Sequence, residues 1–228
     1  MLFKENINPL PALLILLSGV TGLVDAVSVL GLGKVFTANM TGNIVFLGFA
    51  LARTPGFVAV PLMLSLAGFL VGAFVAGLIG RWVVARPLRH WLMGAAVIEA
   101  ALFAAAALCA DGPGHGAGDG LYAIIVLTAA AMGLRNATVR QLKVPDLTTT
   151  VVTLTLAGLA ADLRPGAALH PATGRRVAAV LAILVGAGLG AVLVNRCGLA
   201  VPLALAGITT FAATALCSLH PGTAAPHG

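Results

Sequence analysis

Apolar stretches follow one another along nearly the whole chain, most of them longer than roughly 18 residues and so long enough for a helix to cross the hydrocarbon of a bilayer. Windows of about 20 residues place them near 9–32, 36–52, 58–80, 91–110, 121–141, 147–161, 177–195 and 198–218. With 60% hydrophobic and 9% charged residues the chain cannot cover a water-facing surface, for which about 25% charged is usual. The expectation is an all-α polytopic membrane protein, with 1–228 as a single membrane domain. The run from Leu10 through Val20 to Leu32 is too long for a signal-peptide core and lacks a small-x-small cleavage site, so it is read as the first transmembrane helix.

Two of the segments differ from the rest. Segments 36–52 and 147–161 hold 17 and 15 residues. They reach roughly 25 and 22 Å, short of the roughly 30 Å hydrocarbon core. Both are rich in hydroxyl and amide groups, as in Phe36-Thr37-Ala38-Asn39-Met40-Thr41-Gly42-Asn43 and Thr148-Thr149-Thr150-Val151-Val152-Thr153-Leu154-Thr155.

The chain also repeats itself. Gly22-Leu23-Val24-Asp25-Ala26 matches Gly133-Leu134-Arg135-Asn136-Ala137 at an offset of 111, and the Thr37/Thr41 pair matches Thr149/Thr153 at 112. Leu70-Val71-Gly72-Ala73 recurs as Leu184-Val185-Gly186-Ala187 at 114. Three matches in the same order at nearly one offset indicate two units of about 110 residues, 9–110 and 119–218.

Loop charge selects the topology. Short cytoplasmic loops collect Lys and Arg. If all eight segments span, the basic residues divide 8 to 5, which is nearly no bias. If the two short segments enter and leave on one side, Lys4, Arg81, Arg86, Arg89, Arg135, Arg140, Lys143, Arg164, Arg175 and Arg176 share one face against Lys34, Arg53 and Arg196, or 10 to 3. This predicts about six transmembrane helices, two short re-entrant or broken segments, both termini in the cytoplasm, and inverted repeats. Secondary transporters and some channels recur on that plan.

Ionisable groups at membrane depth cost about 2.5 to 3.5 kcal/mol on insertion scales and are expected to face a cavity or a partner. Asp25, Glu99 and Arg135 are such groups, with Glu99 and Arg135 read as candidate buried charge partners. Irregular backbone at that depth survives only inside protein or along a wet cavity. The expected substrate or ion site therefore joins Asp25, Thr37, Asn39, Thr41 and Asn43 to Asn136, Thr149, Thr153 and Thr155. The structural alternatives are that Asp25 caps a helix break, that Arg135 snorkels, and that the hydroxyls bond helix to helix.

Other classes fall away. The net charge of +6 is spread among short connections, which argues against nucleic acid. Cys109, Cys197 and Cys217 form no C-x-x-C and no metal spacing. No H-E-x-x-H, G-x-S-x-G or Walker A sequence is present, so no metal, no cofactor and no catalytic residue is expected. The expected partners are the lipid bilayer and a small-molecule or ion substrate, with a homo-oligomer left open. The leading reading is a transporter or facilitator of a small solute with its site between the repeats. The alternatives are an intramembrane enzyme or lipid-handling protein using Asp25 and Glu99 as acid and base, and a non-transporting accessory protein.

The same motifs, above all the T-A-N-M-T-G-N run at 37–43, resemble the YoaK family of bacterial membrane proteins over nearly the whole chain. The resemblance implies a multi-pass protein of the bacterial inner membrane and a single domain of about 220 residues. It implies no substrate and supplies no list of catalytic residues.

Overall fold

A computed structural model gives the fold and describes residues 9–83, 87–111, 119–142, 153, 156–158, 160 and 171–223. The helices are α1 (Leu10–Gly31), α2 (Met40–Leu51), α3 (Ala59–Val83), α4 (Leu88–Asp111), α5 (Asp119–Gln141), α6 (Pro171–Cys197) and α7 (Ala200–Ser218), with a 3-10 turn at Pro221–Thr223. All of these except α2 and the 3-10 turn are long and apolar enough to cross a bilayer. The chain is an all-α polytopic membrane protein. α2, with 12 residues, rises roughly 18 Å and falls short of the hydrocarbon thickness. Most of the segment 147–161, Thr149 and Thr155 included, lies outside the described residues.

Two boundaries differ from the hydropathy reading for a physical reason. α6 begins at Pro171, well before the apolar run at 177, because proline is preformed for the first helical position and needs no amide donor there. α2 begins only at Met40, since the chain turns through Gly33 and Lys34 at φ +86° and +60°. The left-handed region is open to glycine and costs other residues strain.

Helix directions follow from two apolar clusters. In one, Leu13, Leu14 and Leu17 of α1, Trp91 and Leu92 of α4 and Ala179 of α6 meet Ile79 of α3, Val139 of α5 with Leu142 just beyond it, and Cys217 of α7. The starts of α1, α4 and α6 thus share an end, here called proximal, with the ends of α3, α5 and α7. The second cluster gathers the opposite termini at the distal end: Val27, Ala110 and Val194 with Leu62, Ile124 and Leu203. α1 therefore finishes, and α3 starts, at the distal end. α2 lies between them and packs Phe46, Leu47 and Ala50 on the distal cluster. α5 finishes, and α6 starts, at the proximal end.

The two most intimate contacts pair α1 with α6 and α3 with α5. Backbone meets backbone in both. A Cβ added to Gly22 would collide with the Ile183 carbonyl, and one on Gly186 with the Gly19 carbonyl. On the other side, Gly133 lies against the Phe69 carbonyl and Gly72 against the Ala130 carbonyl. Close small-residue crossings of this kind hold helices together in lipid, where apolar area alone gives no drive. The two crossings correspond residue by residue, since Gly19/Ala130 and Gly22/Gly133 are 111 apart and Phe69/Ile183 and Gly72/Gly186 are 114 apart. Outward faces match too: Leu70 and Leu184 are both 67% exposed, and Val71 and Val185 both 59%. Such large apolar side chains on the outside suit contact with lipid.

Candidate functional site

Near the middle of the bundle the Gly133 crossing holds α5 so that its next polar residue, Arg135, points among α1, α4 and α7. The side chain is fully buried, 1% exposed, so it does not snorkel. Its Nη1 donates to the Leu17 carbonyl at 3.2 Å and lies 3.5 Å from Thr21 Oγ1, both on α1. Its Nη2 donates to Thr210 Oγ1 of α7 at 2.6 Å. Nη2 also forms an ion pair with Oε1 of Glu99 on α4, itself buried. The two side chains form a buried, hydrogen-bonded ion pair. The guanidinium finally stands 5.9 Å from the centre of the Phe103 ring, within cation–π range. One arginine thereby ties α5 to three other helices.

A small cavity of about 20 Å³ adjoins this hub, lined by Glu99, Arg135 and Thr138 with Leu13, Leu92 and Leu142 toward the proximal end. Arg135 Nε and Thr138 Oγ1 are buried there without hydrogen-bond partners.

The second polar locus lies at the distal end, where α1 gives way to α2. Asn43 of α2 accepts from the Phe36 amide at 2.8 Å, donates to the Phe36 carbonyl at 2.6 Å and reaches Ser65 Oγ of α3 at 3.1 Å. Ser65 Oγ donates to the same carbonyl at 2.6 Å. Asn43 and Ser65 are both fully buried. This knot satisfies the backbone freed where the helix stops and fixes the irregular stretch to α3. Phe36 stacks on Phe46 beside it, Phe57 meets Phe46 at a tilt and Phe49 edge-on, and the Lys34 ammonium lies 5.6 Å from the Phe57 ring centre.

Asp25 faces this stretch from α1, with a hydrogen bond from the Ala38 backbone amide. Its Oδ1 is buried without a partner, and so is Oγ1 of Thr37, the neighbour of Ala38 and fully buried. Asp25, Thr37 and Asn43 are therefore brought together around residues 36–38. Asn39 and Thr41 are exposed and point away. Asn136 is half-buried and donates to the Met132 carbonyl of its own helix at 2.9 Å. Thr153 is helical and exposed. Glu99 and Arg135 do pair, but the cavity at Glu99 is not lined by Asp25, so an acid–base couple of the two carboxylates finds no shared cavity among the described residues.

Ser65, Thr21, Thr138 and Thr210 were not foreseen. Ser65 is a lone hydroxyl in an apolar run, which marks it as a buried partner for something. Thr210 sits beside a fourth internal match, Phe103-Ala-Ala-Ala-Ala-Leu108-Cys109 against Phe211-Ala-Ala-Thr-Ala-Leu216-Cys217, at an offset of 108. A groove of about 720 Å³ runs along these matched stretches between α4 and α7, lined by Ala100, Ala104, Gly207, Ile208 and Phe211, with Asp111 at its rim. It contains none of the expected site residues. Among the described residues no three His, Cys, Asp or Glu side chains gather as a metal site.

Comparison with known proteins agrees with this architecture. A family model described as "Protein of unknown function (DUF1275)" matches residues 13–216. The chain is 34% identical over 158 residues to the UPF0700 transmembrane protein YoaK of Bacillus subtilis (strain 168), an alignment covering 66% of this chain and 66% of that relative's length. No solved structure matches.

Proposed function

Since the chain belongs to the DUF1275 family, whose function is unknown, we propose from its geometry that it is a secondary transporter or facilitator of a small solute in the bacterial inner membrane. The observation that carries this reading is the pair of unpartnered buried atoms, Asp25 Oδ1 and Thr37 Oγ1, at a break in the helical backbone. A carboxylate at membrane depth is costly unless it meets a charge, a proton or an ion. Here it stands six residues before the end of α1, against the irregular backbone at Ala38. Asp25 is the cation- or proton-binding group of this site, Thr37 supplies a second oxygen, and Asn43 holds the loop that presents them. Asn136 is the counterpart of Asp25 at an offset of 111.

Inverted repeats of 9–110 and 119–218 complete the proposal. The opposed directions of α1 and α5, the matched glycine crossings and the distal position of both flanks of α2 support it. Arg89, Arg140, Arg175 and Arg176 lie toward the proximal end, and Lys34, Arg53 and Arg196 toward the distal, so the proximal end and both termini are cytoplasmic. Single cysteines at Arg53 and Asp111, in a background lacking the three native cysteines, are expected to label with a membrane-impermeant maleimide from outside the cell. Cysteines at Arg89 and Arg140 are expected to label only after permeabilisation. Cysteines at Arg53 and Arg175 labelling from the same side would remove the inverted arrangement.

The function itself is tested by flux. In proteoliposomes, counterflow over a panel of small metabolites and inorganic ions is expected to find a transported solute. Asp25→Asn is expected to lower coupled flux at least tenfold, the equivalent of about 1.4 kcal/mol in the barrier. Normal folding with unchanged flux in Asp25→Asn would overturn the assignment of the site. No flux for any solute in the wild type would overturn transport.

A further inference from the structure

The small cavity beside the charged hub is polar in a way its size makes specific. Its volume of about 20 Å³ admits one water molecule and nothing larger. Two of its lining groups, Arg135 Nε and Thr138 Oγ1, are buried without hydrogen-bond partners, and Glu99 lines it beside them. A buried water needs two to four polar partners. Arg135 Nε can donate to it, Glu99 Oε1 can accept from it, and the Thr138 hydroxyl can do either. Leaving Arg135 Nε and Thr138 Oγ1 unpaired would cost about 1 to 3 kcal/mol each.

The arginine is moreover supplied with neutral partners. The Leu17 carbonyl, Thr21 Oγ1, Thr210 Oγ1 and the Phe103 ring all contact the guanidinium without carrying charge. If Glu99 takes up a proton, Arg135 keeps its place and most of its bonds. No other ionisable group lines the cavity: α1 contributes Leu13 and Leu17, α7 contributes Thr214, and α4 and α5 add only small or apolar side chains besides Glu99, Arg135 and Thr138. The lining reaches Leu142, just past the end of α5 and seven residues, roughly 10 Å, from Arg135.

We propose that Glu99, Arg135 and Thr138 bind a single water molecule, and that this water exchanges a proton between the proximal side and the Glu99 carboxylate. In the forward step an O–H bond of a protonated water breaks, an O–H bond forms at Glu99 Oε1, and neutral water remains hydrogen-bonded to Thr138 and Arg135 Nε. Glu99 is then a proton site separate from Asp25, and it stands whether or not a solute is carried.

The test uses the full-length protein in phosphatidylcholine–phosphatidylglycerol nanodiscs, followed by infrared difference spectroscopy after a pH jump. A protonated-carboxyl band is expected that disappears in Glu99→Gln, persists in Asp25→Asn and shifts in Glu99→Asp. Thr138→Val is expected to slow its appearance about tenfold, the effect of one lost hydrogen bond to a buried group, while Thr138→Ser restores it. Should Glu99→Gln fail to fold, the Glu99→Asp shift makes the assignment. A wild-type spectrum without a Glu99 band at any pH, or a Thr138→Val rate equal to wild type, overturns the proposal. A Glu99 band in a protein that moves no solute would retain the proposal and reject transport, and solute flux without such a band would do the reverse.

Discussion

Arg135→Leu is expected to destabilise the protein by about 5 kcal/mol and Glu99→Leu by about 3, the upper and lower ends of the range for breaking a buried ion pair. The order follows from what each change leaves behind. Without Arg135, the buried Glu99 loses the cation that its Oε1 pairs with, and Thr210 loses its donor. Without Glu99, the guanidinium keeps the Leu17 carbonyl, Thr210 and the Phe103 ring. Replacing both by leucine removes the charges together and is expected to recover at least about 2 kcal/mol relative to the sum of the single changes, as contacting partners do in a double-mutant cycle. Unfolding of all four proteins in mixed micelles under increasing denaturing detergent measures this. Additive losses would mean that the pair is not energetically coupled.

The second large effect concerns the glycine crossings. Gly22→Val and Gly133→Val are each expected to cost about 3 kcal/mol or more, since overpacking of a tight interface typically costs 1–3 and here the obstacle is a backbone carbonyl that cannot rotate aside. The two losses should be equal within about 0.5 kcal/mol, because the obstructing carbonyls of Ile183 and Phe69 are counterparts. Gly77→Ala and Gly188→Ala are the controls. Nothing lies within 4 Å of an added Cβ at either position. There alanine is expected to be neutral or to stabilise by up to about 1 kcal/mol through its better helix propensity. Thermal aggregation followed by fluorescence-detected size exclusion ranks all four, and tolerance of valine at Gly22 would refute the crossing.

Much of the fold was legible because the bilayer reduces it to a question of length and polarity. The spans could be read from apolar runs, and the offsets of 111 and 114 already hold the glycines that touch backbone. The charged hub was only half legible. Glu99 and Arg135 stood out as ions in lipid, but the Leu17 carbonyl lies 118 residues from Arg135 and Thr210 lies 75, and no local pattern announces such neighbours.

The distal polar run shows where residue type misleads. Thr37, Asn39, Thr41 and Asn43 read as one site, yet the helix starts only at Met40, so the first two belong to irregular backbone and the last two to α2. Thr41 and Asn43, two residues apart on a helix of 3.6 residues per turn, point roughly 200° apart. Asn43 turns in to Ser65, and Thr41 turns out. Composition cannot separate them without the starting residue of the helix.

The exchanged partnership of α1 with α6 and of α3 with α5 bears on biosynthesis. The glycine face of α1 emerges from the ribosome and enters the lipid about 160 residues ahead of the face that covers it, Gly22 lying against Ile183. Neither half of the polypeptide can close on itself meanwhile. A polypeptide cut to either half would keep its glycine faces and lose the helices that cover them.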